Sequence, residues 1–392
     1  MRYTVSGGKV CVYLRGRIDT NNAPEFASEM DRIHKANAGG EMIIDAEGLE
    51  YISSSGLRVL MKLRRDLGEM AIINVSAQVY EIFDMTGFTT LFRISKKKRE
   101  LAVDESQLIG SGANGRVYRL NDECIVKIYD RHTNPPEKIE REHDSARTAF
   151  LRGIPSAIPY DIVRVGSETG MVYELINAKT LGQVITAEPG MLEEYALKMS
   201  ALLKKLHSTE FEPGSLPDAR LSLRHWANIG ARSGYYRMED MEKVYAFINA
   251  IPERNTFIHG DFHPGNIMVS DGELILIDMG DASLGHPIVD LAGMFHIMKL
   301  ISVKSADAAV KYTGMSLDKV EKVWDIFERD YFGTDDTYEL RRIEESLGCY
   351  SMIRSLAGTA FSNFVREDKR SEFAKTVMSM LLERMDKAGP VP

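Results

Sequence analysis

The stretch Phe257-Ile-His259-Gly-Asp261-Phe-His263-Pro-Gly-Asn266 runs an apolar segment into a turn that carries a carboxylate and, five residues later, an amide. Packing a strand-to-loop step requires neither group. Phosphoryl transfer does: an acceptor hydroxyl must be aligned with a terminal phosphate, and the developing charge must be neutralised with Mg²⁺. Asp261 suits the first task, because a carboxylate within hydrogen-bond reach of a hydroxyl orients it and accepts its proton. Asn266 suits the second, since Mg²⁺ takes oxygen ligands and takes few of them from protein. Twelve residues on, the strand-like ELILID ends on Asp278, the expected second metal ligand. His259 is expected to hold the catalytic loop in shape by hydrogen bonds. His263 reads equally as pocket wall or loop support, and Pro264 and Gly265 shape the turn. Asp281 and Asp290 are read as loop anchors or helix caps, with the cap reading favoured for Asp290.

A second constellation lies upstream. Gly110, Gly112, Gly115 and Val117 spell G-x-G-x-x-G-x-V, with Asn114 inside the loop, and the pattern falls between two strand-like segments. A dinucleotide site would want a helix to start there, whereas a glycine loop inside a hairpin is a flap over nucleotide phosphates. Glycines let the backbone approach phosphate oxygens and offer N–H donors without obstruction. Ten residues past Val117, Lys127 stands among β-branched neighbours in IVKIY, so its ammonium belongs on the face opposite theirs, under the flap. Such a cation needs a carboxylate to hold it. The segment EKIEREHDSARTAF supplies one, Glu142 in first place and Glu140 as the alternative.

The elements that must position these groups alternate in a readable way. In residues 1–95, KVCVYLRGRID, EMIIDAEGL and MAIINVS read as strands, each followed by a helical segment, which predicts an α/β layered domain. The run Lys96-Lys-Lys-Arg-Glu100 reads as an exposed linker, 96–104. A β-rich lobe over 105–180 follows, with Asn121-Asp122 as a hairpin turn, and then a helical lobe over 181–392. In the latter, Leu192, Tyr195, Met199, Leu202 and Leu206 fall on one helical stripe. A cleft between two such lobes is a usual place for a ligand.

Composition bounds the function classes. Residues are 44% apolar and 27% charged, an ordinary globular balance. Residues 1–100 hold 15 Lys and Arg against 13 Asp and Glu, a balance of +2; the remainder holds 34 against 44, a balance of −10. An acidic second part is a poor partner for nucleic acid and leaves room for a cationic acceptor. No segment reaches the ~20 apolar residues of a membrane helix. Cys11, Cys124 and Cys349 are few, odd in number and scattered, which favours neither disulfides nor zinc and points to a cytoplasmic protein.

GSGANGRV, the Lys of IVKIY, HGDFHPGNIM and LILIDMGD occur in the order found in aminoglycoside phosphotransferases and choline kinases, and residues 105–385 resemble that family. The resemblance implies a bilobal α+β protein-kinase-like fold, ATP (or GTP) and Mg²⁺ as cofactors, and a small alcohol or sugar as acceptor. It makes Asp261 the catalytic base, Asn266 and Asp278 the metal ligands, and Lys127 a phosphate contact. It also makes Glu174 to Ile176 the hinge whose backbone reads adenine. The glycine loop is closer to that of protein kinases, which weakens an antibiotic as substrate. Residues 1–95, through RGRID, MIIDAEGLEYISSSGL and MTGFTTLF, resemble the STAS domain of anti-sigma-factor antagonists. That likeness implies an interaction with a regulatory protein and makes Ser55 a phosphoacceptor, against the alternative that Ser53, Ser54 and Ser55 simply cap a helix; Ser53 replaces an Asp common in the family. Two rival readings follow: a regulatory protein kinase acting on Ser55 in its own or another STAS domain, and a nucleotide-binding pseudokinase scaffold.

Overall fold

Val10, Val12 and Leu14 alternate along Lys9–Ile18 and bury one face of that strand, as a period of two requires. It pairs in parallel with Glu41–Ile52, which pairs in parallel with Ala71–Val75, which pairs in parallel with Arg93–Lys96. Parallel neighbours need crossovers, and these are the helices Ala23–Ala36, Ser54–Leu67 and Ala77–Met85. Phe26, Met30 and Ile33, then Leu57, Leu60 and Leu63, then Val79 and Phe83 turn inward and close one core with the strands. An extra strand, Arg2–Ser6, folds back antiparallel at the edge through Gly7 and Gly8, both at positive φ. Its residues are mostly exposed, so no hydrophobic period announces it.

The computed structural model describes residues 1–112, 115–131, 134–304, 306–361 and 365–387. The chain divides into two compact units, Met1–Leu101 and Ala102–Pro392. Lys96 closes the last strand of the first sheet, and Arg99–Glu100 forms a further two-residue strand, with Lys96, Arg99 and Glu100 exposed.

In the second unit, Leu108–Gly112, Gly115–Arg119, Cys124–Tyr129, Glu168–Glu174 and Pro159–Val165 pair antiparallel in that order. The helix Pro136–Leu151 lays Ile139 against Tyr129, Met171 and Tyr173 of this sheet. The remainder is helical around a large core to which Leu192–Ser208 contributes Tyr195, Met199, Leu202 and Leu206. Arg220–Arg232, Leu317–Phe332 and Thr337–Ser355 pack into the same core. A tight hairpin, Ile267–Ser270 with Glu273–Leu276, links the two loops that carry the polar residues singled out above. Among the described residues, no helix is long and apolar enough to cross a membrane.

Candidate active site

Val126 and Ile128 are buried on one face of the Cys124–Tyr129 strand, so Lys127 and Tyr129 share the other. Lys127 stands directly opposite Val117 of the glycine hairpin. Gly110 pairs with Val117, and Gly112 with Gly115. Gly115 has no substitute there: at φ 142 a Cβ would run into the carbonyl oxygen of Ile128. Asn114 lies outside the described residues.

Glu142 is buried on the helix Pro136–Leu151. Its Oε1 accepts from Lys127 Nζ at 2.9 Å, Tyr129 Oη at 2.7 Å and Tyr173 Oη at 2.9 Å. Glu140, two residues away and so about 200° around the helix, is half-buried. Burial, aided by the Glu142 carboxylate, drives both tyrosines far above their ordinary range, so both keep the proton that they donate to Glu142. Neither tyrosine was singled out in the sequence, although Tyr129 shares a face with Lys127 at a spacing of two.

Lys127 also donates to Asp278 Oδ1 at 2.8 Å. Burial works against its charge, but the Asp278 and Glu142 carboxylates outweigh burial and hold the ammonium above the usual lysine range. Asp278 sits at φ 62 and ψ 66, a left-handed conformation that Asp tolerates and that marks functional turns. The Ile277 N–H donates to the Asn266 carbonyl at 3.0 Å, which ties the Asp278 turn to the Asp261 loop.

Within that loop, Asn266 Nδ2 donates to Asp261 Oδ2 at 3.0 Å and to the Asp261 carbonyl at 2.9 Å. Asp261 is further flanked by His263 Nε2 and Arg354 Nη2, each at 3.7 Å. Burial would raise its carboxyl, but His263, then Arg354 and His259, hold it well below the usual carboxylate range. His259 is fully buried, its Nδ1 accepting the Asp261 N–H at 3.3 Å and its Nε2 facing the Ile277 carbonyl at 3.2 Å. It therefore touches loop backbone. The His263 Nδ1 accepts the Gly265 N–H at 3.1 Å, which ties it to the loop backbone, while its Nε2 lies 3.7 Å from Asp261 Oδ2.

Asp290 corrects an expectation. The helix Ile288–Phe295 begins two residues before it, so Asp290 is not the cap. Its buried carboxylate instead accepts the N–H groups of His259 at 2.8 Å and Gly260 at 2.6 Å, and His207 Nε2 lies 3.1 Å away. It anchors the loop from below. Asp281 lies against Gly260, which is held at φ 84 and has no room for a Cβ. Although Asp281 keeps a solvent-exposed edge, enclosure by the loop and the Asp261 and Asp278 charges push its carboxyl up.

At the expected hinge, the Leu175 N–H is spent on the Glu123 carbonyl at 2.7 Å, and the Glu174 N–H on that of Ile158 at 3.0 Å. The half-buried Ile176 side chain packs against the core that holds Tyr129, Met171 and Tyr173. In the first unit, Ser53 alone caps the helix Ser54–Leu67, its Oγ accepting the Gly56 N–H at 3.4 Å. Ser54 is exposed and Ser55 half-buried, so the three serines do not cap together.

Among the described residues, no three His, Cys, Asp or Glu side chains cluster as a self-sufficient metal site. The donor set fits a shared Mg²⁺ instead. With Nδ2 turned to Asp261, Asn266 has its amide oxygen to offer, and Asp278 has the carboxylate oxygen that Lys127 does not hold.

The family model of the phosphotransferase enzyme family matches residues 105–319, and that of the STAS domain matches residues 1–101. The BtrV protein of Bordetella bronchiseptica, by name an anti-sigma factor antagonist, is 28% identical over 100 residues, covering 24% of this chain and 84% of its own. An aminoglycoside-3'-phosphotransferase of type VIII matches at a TM-score of 0.45 and 14% identity, over 65% of this chain and 92% of its own. A choline/ethanolamine kinase family protein from Mesorhizobium loti matches at 0.44 and 15%, over 72% and 88%.

Proposed function

The chain belongs to the phosphotransferase enzyme family and carries a STAS domain ahead of the matched region, and from that premise we propose that it moves the terminal phosphoryl group of ATP to the hydroxyl of a small molecule. Residues 105–180 are the nucleotide lobe and 181–392 the acceptor lobe. The observation that carries the reading is the double pairing of Lys127, to Glu142 and to Asp278, the latter 151 positions further along the chain. A packing interaction does not need a half-buried lysine fixed between two carboxylates opposite a glycine hairpin.

Asp261 accepts a hydrogen bond from the acceptor hydroxyl and aims its oxygen at the terminal phosphorus. The new O–P bond forms as the bond from phosphorus to the bridging oxygen breaks, and ADP leaves with that electron pair. The hydroxyl proton passes to Asp261 and from there to solvent. Because Asp261 is held ionised, its first role is orientation, with proton transfer late. Bound Mg²⁺, held by Asn266 and Asp278, would neutralise charge on the phosphates. Lys127 grips phosphate oxygens, and with the N–H groups of Glu174 and Leu175 spent on neighbouring carbonyls, the base is read by the remaining backbone groups of Glu174 to Ile176.

Replacing Asp261 by Asn should lower ADP release with a productive hydroxyl compound by roughly 10²–10⁴-fold. Mg·ATP affinity, measured by calorimetry, should stay within about twofold, because nothing in the proposal puts Asp261 on the nucleotide. Lost nucleotide binding would remove Asp261 from the acceptor side. A second reading, a kinase for Ser55 of a STAS domain, is favoured by the capping geometry: Ser53 does that work and Ser55 does not.

A further inference from the structure

Arg354 lies beyond the residues matched by the family model and belongs to no motif singled out in the sequence, yet the helix Thr337–Ser355 brings it to Asp261. Its side chain is 17% exposed, and Nη2 stands 3.7 Å from Asp261 Oδ1, too far for a hydrogen bond. Among the described residues, its guanidinium donates no hydrogen bond and has no other carboxylate within 4.0 Å. An enclosed guanidinium with idle N–H donors is costly unless a ligand uses them. The position is nevertheless built. The guanidinium rests 5.3 Å from the ring centre of half-buried Trp226, and a Cβ on Gly293 would come within 2.9 Å of Nη1. Asn266 occupies Asp261 Oδ2, so Arg354 stands on the side of Oδ1 that an acceptor hydroxyl can still use.

We propose that Arg354, backed by Trp226, is an oxyanion subsite for the acceptor, so that the compound phosphorylated carries a carboxylate or phosphate a few bonds from its reacting hydroxyl. A guanidinium fork matches both groups in two-point contact. The proposal rests on Asp261 being the acceptor-side base. It replaces the cationic acceptor suggested by the acidic balance of the second part, where exposed carboxylates are met by cations on the surface: Arg237 pairs with Glu239 and Asp240, Arg329 with Asp325 and Asp335, and Lys204 with Asp330. Asp281 also feels the Arg354 guanidinium, and because Asp281 is solvent-exposed, an anionic acceptor need not bury its charge against it.

The test is calorimetric titration of the full chain, saturated with Mg·AMP-PCP, using inorganic phosphate and malonate as probes. Wild type should bind at least one of them, Arg354→Gln should weaken it tenfold or more, and Arg354→Lys should fall between. No binding by wild type, or equal binding by Arg354→Gln, overturns the subsite. If Arg354→Gln does not fold, Trp226→Leu takes its place with an expected threefold or greater loss, and an unchanged affinity overturns the proposal. ADP release is then compared across hydroxy acids, sugar phosphates and amino alcohols. Turnover of hydroxy acids supports the subsite with a carboxylate as its anion, turnover of sugar phosphates supports it with a phosphate, and turnover of amino alcohols alone overturns it. If wild type fails to bind Mg·AMP-PCP, the phosphotransferase reading falls by itself, and the same probe titrations without nucleotide still decide the subsite.

Discussion

Asp278 holds a left-handed backbone while its carboxylate is pinned to Lys127. Backbone and side chain can therefore be tested apart. Asn tolerates that conformation and Ala does so poorly. Asp278→Asn should keep the fold, with a melting temperature within a few degrees of wild type, yet weaken Mg·ATP by about tenfold or more and flatten its Mg²⁺ dependence. Asp278→Ala should add a stability loss on the order of 1–2 kcal/mol from strain. Unchanged metal dependence in both variants would remove Asp278 from the metal. Residues of this kind were legible because their chemistry is local: a glycine loop, a lysine between β-branched neighbours, and a polar loop between apolar runs each declare themselves within ten residues. Arg354 was not legible, since its position depends on how a helix 93 positions beyond Asp261 packs.

The helices read well where one face is apolar and poorly where a polar group is buried for a partner elsewhere. Periodicity finds the stripe of Leu192–Ser208, and the edge strand Arg2–Ser6 escapes it because its residues are mostly exposed. Asp290 misleads because a carboxylate at the start of an apolar helix looks like a cap until the loop above it is placed. A similar hidden group is Glu328 on Leu317–Phe332. Trp324 Nε1 donates to Glu328 at 2.8 Å and to Glu344 of the neighbouring helix at 2.9 Å, while Lys299 pairs with Glu344 at 3.1 Å. Burial first, and the Glu344 charge second, push the Glu328 carboxyl up to about 7 from an ordinary 4.5. The folded state thus holds this proton more tightly than the unfolded chain. Its contribution to stability is present below about 4.5 and is lost as pH rises through about 7. Glu328→Gln, which keeps an acceptor for Trp324, should melt higher than wild type at pH 8, with the two curves converging near pH 4. A difference that does not depend on pH would show that Glu328 is not the titrating group.

At the scale of the whole chain, the apolar core of Met1–Leu101 shares no residue with the cores of Ala102–Pro392, and the two units answer to different chemistries. The first core is complete within Met1–Leu101, since its sheet and helices draw every buried residue from that stretch. A chain of residues 1–101 expressed alone should therefore unfold in one cooperative transition, with a stability on the order of 5 kcal/mol. That fragment makes the second functional reading testable as a reaction between molecules. Gly56 is packed against Ile18 and Ile52, and Ser53 satisfies the helix start, so Ser55 can take a phosphate without loss of a cap. A dianion there lies at a helix N-terminus, where it is electrostatically favoured and changes what can dock. If the phosphotransferase unit serves this site, Mg·ATP should label Ser55 of the full chain or of the added fragment, as mapped by mass spectrometry. The label should vanish in Asp261→Asn and in Ser55→Ala. A fragment that stays unlabelled, while the full chain turns over a small hydroxyl compound, assigns the phosphoryl group to metabolism and leaves the STAS domain as a binding partner only.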